Sequence, residues 1–161
     1  TVAFMICVFI VMSVMDVWTA QVSGINRFIL KRGINRKSLA VGQMLVRKPG
    51  MPTDWEKTDT VNSSTVDLIG FSKGGNLLDR SKLDKASSIT YEQLRQLIGL
   101  SKEDAYITVR DITDPTSPVL YEYGMDSNAT SVVISRYGVL DDSIMEVKVK
   151  LYYKSGSHLN A

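Results

Sequence analysis

The one histidine and the one cysteine of this 161-residue chain, His158 and Cys7, lie at opposite ends of it. A transition-metal cluster needs several imidazole or thiolate ligands, and a nucleophilic triad needs a base beside its Ser or Cys, so the sequence supports neither chemistry. His158 sits in the polar run Ser155-Gly-Ser-His158, where solvation is expected. Cys7 lies in an apolar run with no cation to lower its pKa and no second thiol to pair with, and it reads as a small hydrophobe. Carboxylates for a hard cation occur at Asp54, Glu56 and Asp59 and at Asp141-Asp142. Neither group follows an EF-hand pattern, and turns and surface solvation account for both. Gly70 and Gly74-Gly75 lack the following Lys-Ser/Thr and the strand-to-helix setting of a phosphate loop. No catalytic residue, no metal and no cofactor is therefore expected.

Two covalent acceptors remain. Asn62-Ser-Ser and Asn128-Ala-Thr both match the N-glycosylation sequence, in segments that read as loops. They agree with an exterior placement of the C-terminal part. A net charge of +2 is too small to imply an acidic partner, and no basic stripe interleaved with aromatics points to nucleic acid.

With no reaction to position, the elements themselves carry the information. Asp16 is the one charged residue among the first 26, and residues 1–15 are apolar on every side. At 1.5 Å per residue, about 20 residues cross a hydrocarbon core of roughly 30 Å. Three readings compete for this segment. A secretory signal peptide begins with a basic region, whereas this one opens directly on apolar residues. A buried core helix normally carries a polar stripe, and none occurs before Asp16. A membrane or filament-core helix meets both observations. The chain opens on Thr1 rather than Met, which fits a terminus left by a processing peptidase and equally a trimmed chain.

A carboxylate at a bilayer centre costs roughly 2.5–3.5 kcal/mol. Asp16 is therefore expected either at the interface beside Trp18 or paired with an amine or basic side chain of a neighbouring subunit. Residues 24–37 then bring Arg27, Lys31, Arg32, Arg36 and Lys37 with no acid. This flank alone would hold the C-terminal part in the cytoplasm, as in a membrane-tethered enzyme or sensor, while a basic leader ahead of Thr1 would reverse the orientation. Ala3 and Cys7, and likewise Ala20 and Gly24, are small residues four apart, either close-contact positions between helices or ordinary members of an apolar helix.

Helical spacing continues through Ile25, Phe28, Ile29, Leu39, Met44 and Leu45 until Pro49-Gly-Met-Pro52 stops it. Residues 1–48 thus form an apolar then amphipathic helix, and 49–161 an exterior globular domain. Within that domain, 49–104 is read as loop and short helices, 105–154 as a sheet and 155–161 as a tail. Residues 53–76 are expected as a surface loop with at most a short strand at 66–71. Asp79 caps a turn through Leu83; Thr90 and Gln93 form a capping box with Ile89 and Leu94 as the staple, and Gly99 ends that helix. From Ala105 the period becomes two. Met145, Val147, Val149, Leu151 and Tyr153 alternate with Glu146, Lys148, Lys150 and Tyr152, and similar runs fall at 105–112, 119–123 and 131–140. The expected fold class is α+β: a long apolar N-terminal helix, short helices, and a C-terminal antiparallel sheet of about four strands.

This order of parts resembles archaeal type IV pilin-like proteins made with a class III signal peptide. The strings that carry the resemblance are Leu45-Val-Arg-Lys-Pro-Gly-Met-Pro-Thr-Asp-Trp55, Leu68-Ile-Gly-Phe71, Asn76-Leu-Leu-Asp-Arg-Ser-Lys-Leu83 and Ile89-Thr-Tyr-Glu-Gln-Leu-Arg-Gln-Leu-Ile-Gly-Leu100. The paired runs Ser131-Val-Val-Ile-Ser135 and Glu146-Val-Lys-Val-Lys150 extend it over nearly the whole chain. The resemblance implies a type IV pilin-like fold and a structural, non-enzymatic subunit of an extracellular cell-surface filament. It also implies removal of a basic leader by a prepilin peptidase, a membrane-anchored stage, assembly by pilus machinery, and polymerisation with copies of itself through bundled N-terminal helices. The assembly core would be Val2, Ala3, Phe4, Met5, Ile6, Cys7, Val8, Phe9, Ile10, Val11, Met12 and Val14, continued by Asp16, Ala20 and Gly24. Many pilins carry a glutamate, implicated in registering subunits, at the fifth residue of the processed chain, and this sequence has Met5 there. The alternative is a minor pseudopilin, or a single-pass anchored exterior domain assisting assembly, adhesion or secretion.

Overall fold

The computed structural model describes residues 2–101, 103–114 and 116–152, with side chains from residue 32 onward and at 12, 13, 15, 16, 18, 19 and 21. The chain divides into two units, residues 1–36 and 37–161. Helix α1 runs from Val2 to Arg47, 46 residues, and ends where Pro49 was expected to stop it. The short strand β1 (Gly50–Met51) follows, its Met51–Pro52 peptide bond cis, and then a 3₁₀ turn at Trp55–Lys57. Next come β2 (Leu68–Ile69), β3 (Ser72–Gly74), β4 (Leu77–Leu78), α2 (Arg80–Ser88) and α3 (Tyr91–Leu97). The chain continues through β5 (Asp104–Asp111), β6 (Val119–Gly124), β7 (Ser131–Leu140) and β8 (Ser143–Tyr152).

Local signals placed several of these elements. The Asp79 side chain accepts from the Ser81 N–H at the start of α2, and the Thr90–Gln93 capping box opens α3. Gly99 follows α3 with φ +78°, a conformation costly to a residue with a Cβ. Asp141 and Asp142 both take positive φ, +48° and +67°, and make the two-residue turn between β7 and β8 that the twist of a hairpin favours.

The expected fold class is corrected in two respects. The four-stranded antiparallel sheet is a six-stranded mixed sheet of order β3-β4-β7-β8-β5-β6, in which β4 pairs parallel to β7, and a second sheet joins β1 to β2. The reason lies in residues 53–76, expected as surface loop. Trp55, Val61, Val66, Ile69, Phe71 and Ser72 are buried, so the segment contributes to the core; it carries β3 and leads directly into β4, the two further strands of the sheet. In addition, among the described residues no helix is long and apolar enough to cross a membrane. The described positions of α1 mix Asp16, Gln21, Arg32, Asn35 and Arg36 with its apolar residues, which lowers the hydropathy of any long window over them. The architecture is therefore not the pilin-like arrangement expected.

In the unit that begins at Lys37, the last turns of α1 lie on the inner face of the sheet. Val41, Leu45 and Val46 are buried there. Gly42 allows the close approach, since a Cβ on it would stand 3.3 Å from Arg136 Cγ and 3.5 Å from Ile134 Cγ2. The inner faces of β5 and β8 contribute Ala105, Ile107 and Val109 and Met145, Val147, Val149 and Leu151, all buried, while their neighbours in sequence turn to the other face, where Thr108 and Tyr152 are buried as well. Period-two alternation is thus realised as expected for a sheet covered on one side.

Candidate functional site

The strings that carried the family resemblance meet at one buried ammonium group. Lys82, on α2, is 2% exposed, and its Nζ donates to the carbonyl oxygens of Pro49 (2.5 Å), Thr53 (2.6 Å) and Ser72 (3.2 Å). Glu56 Oε2 lies 3.9 Å away and is itself buried without a hydrogen-bond partner. A buried cation is tolerated only when it is paired and hydrogen-bonded, and here the partners are three backbone carbonyls. Burial pushes the Lys82 pKa down, opposed by the carboxylates of Glu56, Asp79 and Asp54.

Beside Lys82, Trp55 is fully buried and its Nε1 donates to the Gly70 carbonyl at 3.1 Å. Two glycines make room. A Cβ on Gly70 would stand 2.0 Å from the Lys48 carbonyl oxygen, and Gly50, at φ +96°, has the Trp55 ring where its side chain would be. The PGMPTDW string is therefore a packing device that folds the chain after α1 back onto β2 and β3. Alongside it, a cavity of about 750 Å³ is lined by Gln43, Met44, Arg47, Lys48, Leu68 and Asn76, among others. Sequence reasoning assigned Lys82 no role of its own beyond its place in the 76–83 string, because an isolated lysine in a short polar helix looks like any solvated one.

The expected site residues divide in the same terms. Among the assembly-core positions, Met12 and Asp16 have described side chains, and both are exposed. The side chains of Val2, Ala3, Phe4, Met5, Ile6, Cys7, Val8, Phe9, Ile10, Val11, Val14, Ala20 and Gly24 lie outside the described residues, as does His158. Met12, Met15 and Trp18, spaced three apart along α1, are 63, 65 and 69% exposed. Of the carboxylates considered for a cation, Glu56 is turned to Lys82, Asp54 stands 4.0 Å from Lys57, and Asp141 is held by Arg80 at 2.7 Å. Among the described residues no group of three or more His, Cys, Asp or Glu could hold a metal ion. The Asn62 side-chain oxygen accepts from the N–H groups of Ser64 (2.9 Å) and Thr65 (3.2 Å), closing a turn, while Asn128 lies in the exposed stretch 125–130.

Tyrosines supply the titrations that matter for stability. Burial pushes the Tyr123 hydroxyl well up; it donates to the Leu83 carbonyl at 2.9 Å. Tyr106, donating to Glu122 at 2.6 Å, is pushed up to about 12. Tyr91 and Tyr121 are raised too, chiefly by burial. A raised folded pKa contributes stability that is complete below the unfolded value near 10 and is lost as pH climbs through the folded one. Lys82 acts in the opposite sense. Between its lowered pKa and 10.5 the unfolded chain holds more protons, so stability rises with pH there. With several tyrosines against one lysine, the urea midpoint is expected to fall between about pH 10 and pH 12, and Tyr123→Phe to flatten that fall. A midpoint constant across that window would contradict the tyrosine assignment.

Comparison with protein-family models, with curated proteins and with solved structures found no match.

Proposed function

We propose that the chain is a structural subunit of an extracellular type IV pilus-like filament that joins copies of itself through α1. On this reading a prepilin peptidase and a pilus assembly machinery handle it before polymerisation. A bilayer span is not part of the proposal.

The observation that carries it is α1 itself. At 1.5 Å per residue a 46-residue helix is roughly 70 Å long, far beyond the three to four turns usual in a globular domain. Isolated helices draw their stability from burying an apolar face, yet Met12, Met15 and Trp18 stand exposed in the single chain. Packing against identical helices buries them without requiring a different partner. The sequence resemblance supports the same role. Met5, where many pilins carry glutamate, favours a minor subunit as the second reading, and substoichiometric abundance in purified filaments would select it.

The test is the triple substitution Met12→Ser, Met15→Ser and Trp18→Ser in the full chain. Wild type is expected to sediment as polymer and to show filaments by negative-stain electron microscopy. The variant should raise the critical concentration for assembly at least about tenfold while the melting of residues 37–152 stays unchanged. A wild-type chain that remains monomeric at every concentration would overturn the proposal.

A further inference from the structure

The cavity beside the PGMPTDW string has a helical wall and a wall from the sheet side. Ala40, Gln43, Met44 and Arg47 recur at the three- and four-residue spacing of one face of α1. Leu68 of β2, the Gly75-Asn76 turn between β3 and β4, and Lys48 complete the lining. A volume of about 750 Å³ falls in the range of small-molecule sites, roughly 300–1,000 Å³.

The polar part of this lining is rich in donors and holds no acid. Arg47 and Lys48 bring two positive charges, and Gln43 and Asn76 add two amides. None of these four side chains has a hydrogen bond or ion pair with another described residue. Elsewhere in the same unit Arg80, Arg95, Lys148 and Lys150 are each held by a carboxylate. Asp67 and Asp79, close in sequence to the lining residues, are not part of it. The carbonyls at the end of α1 are also engaged: Met44, Leu45 and Lys48 accept from the N–H groups of Lys48, Phe71 and Ser72. Donors from the chain thus satisfy groups at the negative pole of the helix that would otherwise oppose an anion.

Two adjacent cations match a doubly charged group better than a single carboxylate. A phosphate monoester carries about −1.5 to −2 at neutral pH and three acceptor oxygens. The arginine fork meets two of those oxygens together, and the lysine acts as a point charge. Met44 and Leu68, both half-buried, and Ala40 offer an apolar surface beside the charge. We propose that this cavity binds a phosphate monoester bearing an apolar group, with the phosphate on Arg47 and Lys48 and the apolar group on Met44 and Leu68. The ester is either a soluble molecule or the headgroup of a phosphatidic acid, and the inference does not depend on assembly of the chain.

Calorimetric titration of the full chain with phenyl phosphate tests it. The expected Kd is below about 1 mM, and Arg47→Gln with Lys48→Gln should weaken it at least about tenfold while the melting of residues 37–152 stays unchanged. Inorganic phosphate should bind at least about fivefold more weakly, and Met44→Ser should narrow that difference. Vesicles of phosphatidylcholine with and without phosphatidic acid form the second arm, scored as the binding that phosphatidic acid adds, so that partition of α1 cancels. A gain from phosphatidic acid that the double variant loses, without phenyl phosphate binding, assigns the ester to a lipid; the reverse assigns it to a soluble ligand. Binding in both arms supports the shared phosphate monoester. No binding in either arm, or a double variant that matches wild type in both, overturns the inference. Equal affinity for inorganic and phenyl phosphate overturns it too, since the apolar wall then does nothing. If the double variant melts early, Arg47→Lys keeps the charge, removes the fork and should still weaken binding about threefold; no change there is equally fatal.

Discussion

Replacing Lys82 by Met is expected to destabilise the unit that begins at Lys37 by roughly 3–5 kcal/mol, the range seen when one partner of a buried charged group is removed. Methionine nearly fills the volume, so the loss is electrostatic. The carbonyls of Pro49, Thr53 and Ser72 lose their donor, and Glu56 keeps a buried carboxylate with its nearest cation gone. Each unsatisfied buried polar group costs about 1–3 kcal/mol, so partial rearrangement still leaves a large deficit. The thermal midpoint should fall by at least about 10 °C and the urea midpoint should shift with little change in slope. A loss under about 1 kcal/mol would mean that water replaces the ammonium, and that the lysine does not organise this region. Glu56→Gln makes a sharp comparison: with Lys82 retained, all three carbonyls keep their donor, and the effect should be well below that of Lys82→Met.

Trp55→Ala is the second large effect, expected at about 3–5 kcal/mol. The side chain is fully buried, its ring occupies the space beside Gly50, and its Nε1 satisfies the Gly70 carbonyl. The cavity left behind is bounded by backbone on two sides, and the 2.0 Å separation between a hypothetical Gly70 Cβ and the Lys48 oxygen shows how little slack there is for collapse. Trp55→Phe should recover a good part of the loss, since it restores ring volume and forfeits only the indole hydrogen bond. Near-wild-type urea midpoints for Trp55→Ala would show that residues 49–76 contribute little to the core.

These two residues also show how far the amino-acid order could be read. Trp55 stood in the PGMPTDW string and Lys82 in the string ending at Leu83, so both were in view as parts of a family-like pattern. Their meeting was not, because 27 positions separate them and neither carries a local signature of its partner. The cavity was equally hidden. Helical spacing places Ala40, Gln43, Met44 and Arg47 on one face, but a cavity exists only once β2 and the β3–β4 turn lie beside them. The expectation of a membrane-spanning N-terminal helix rests on residues 1–15; among the described residues no helix is long and apolar enough to cross a membrane.

What neighbouring residues decide among themselves was legible from the order of amino acids. The end of α1 before Pro49, the Asp79 cap, the Thr90–Gln93 capping box and the four long strands all depend on contacts within a few positions, where side-chain type dictates backbone preference. Only the folded arrangement decided the six-stranded order, the recruitment of β3 and β4, and the burial of Lys82. Each of these rests on pairings tens of residues apart, and a two-residue strand or a solitary lysine has no periodicity that names its partner.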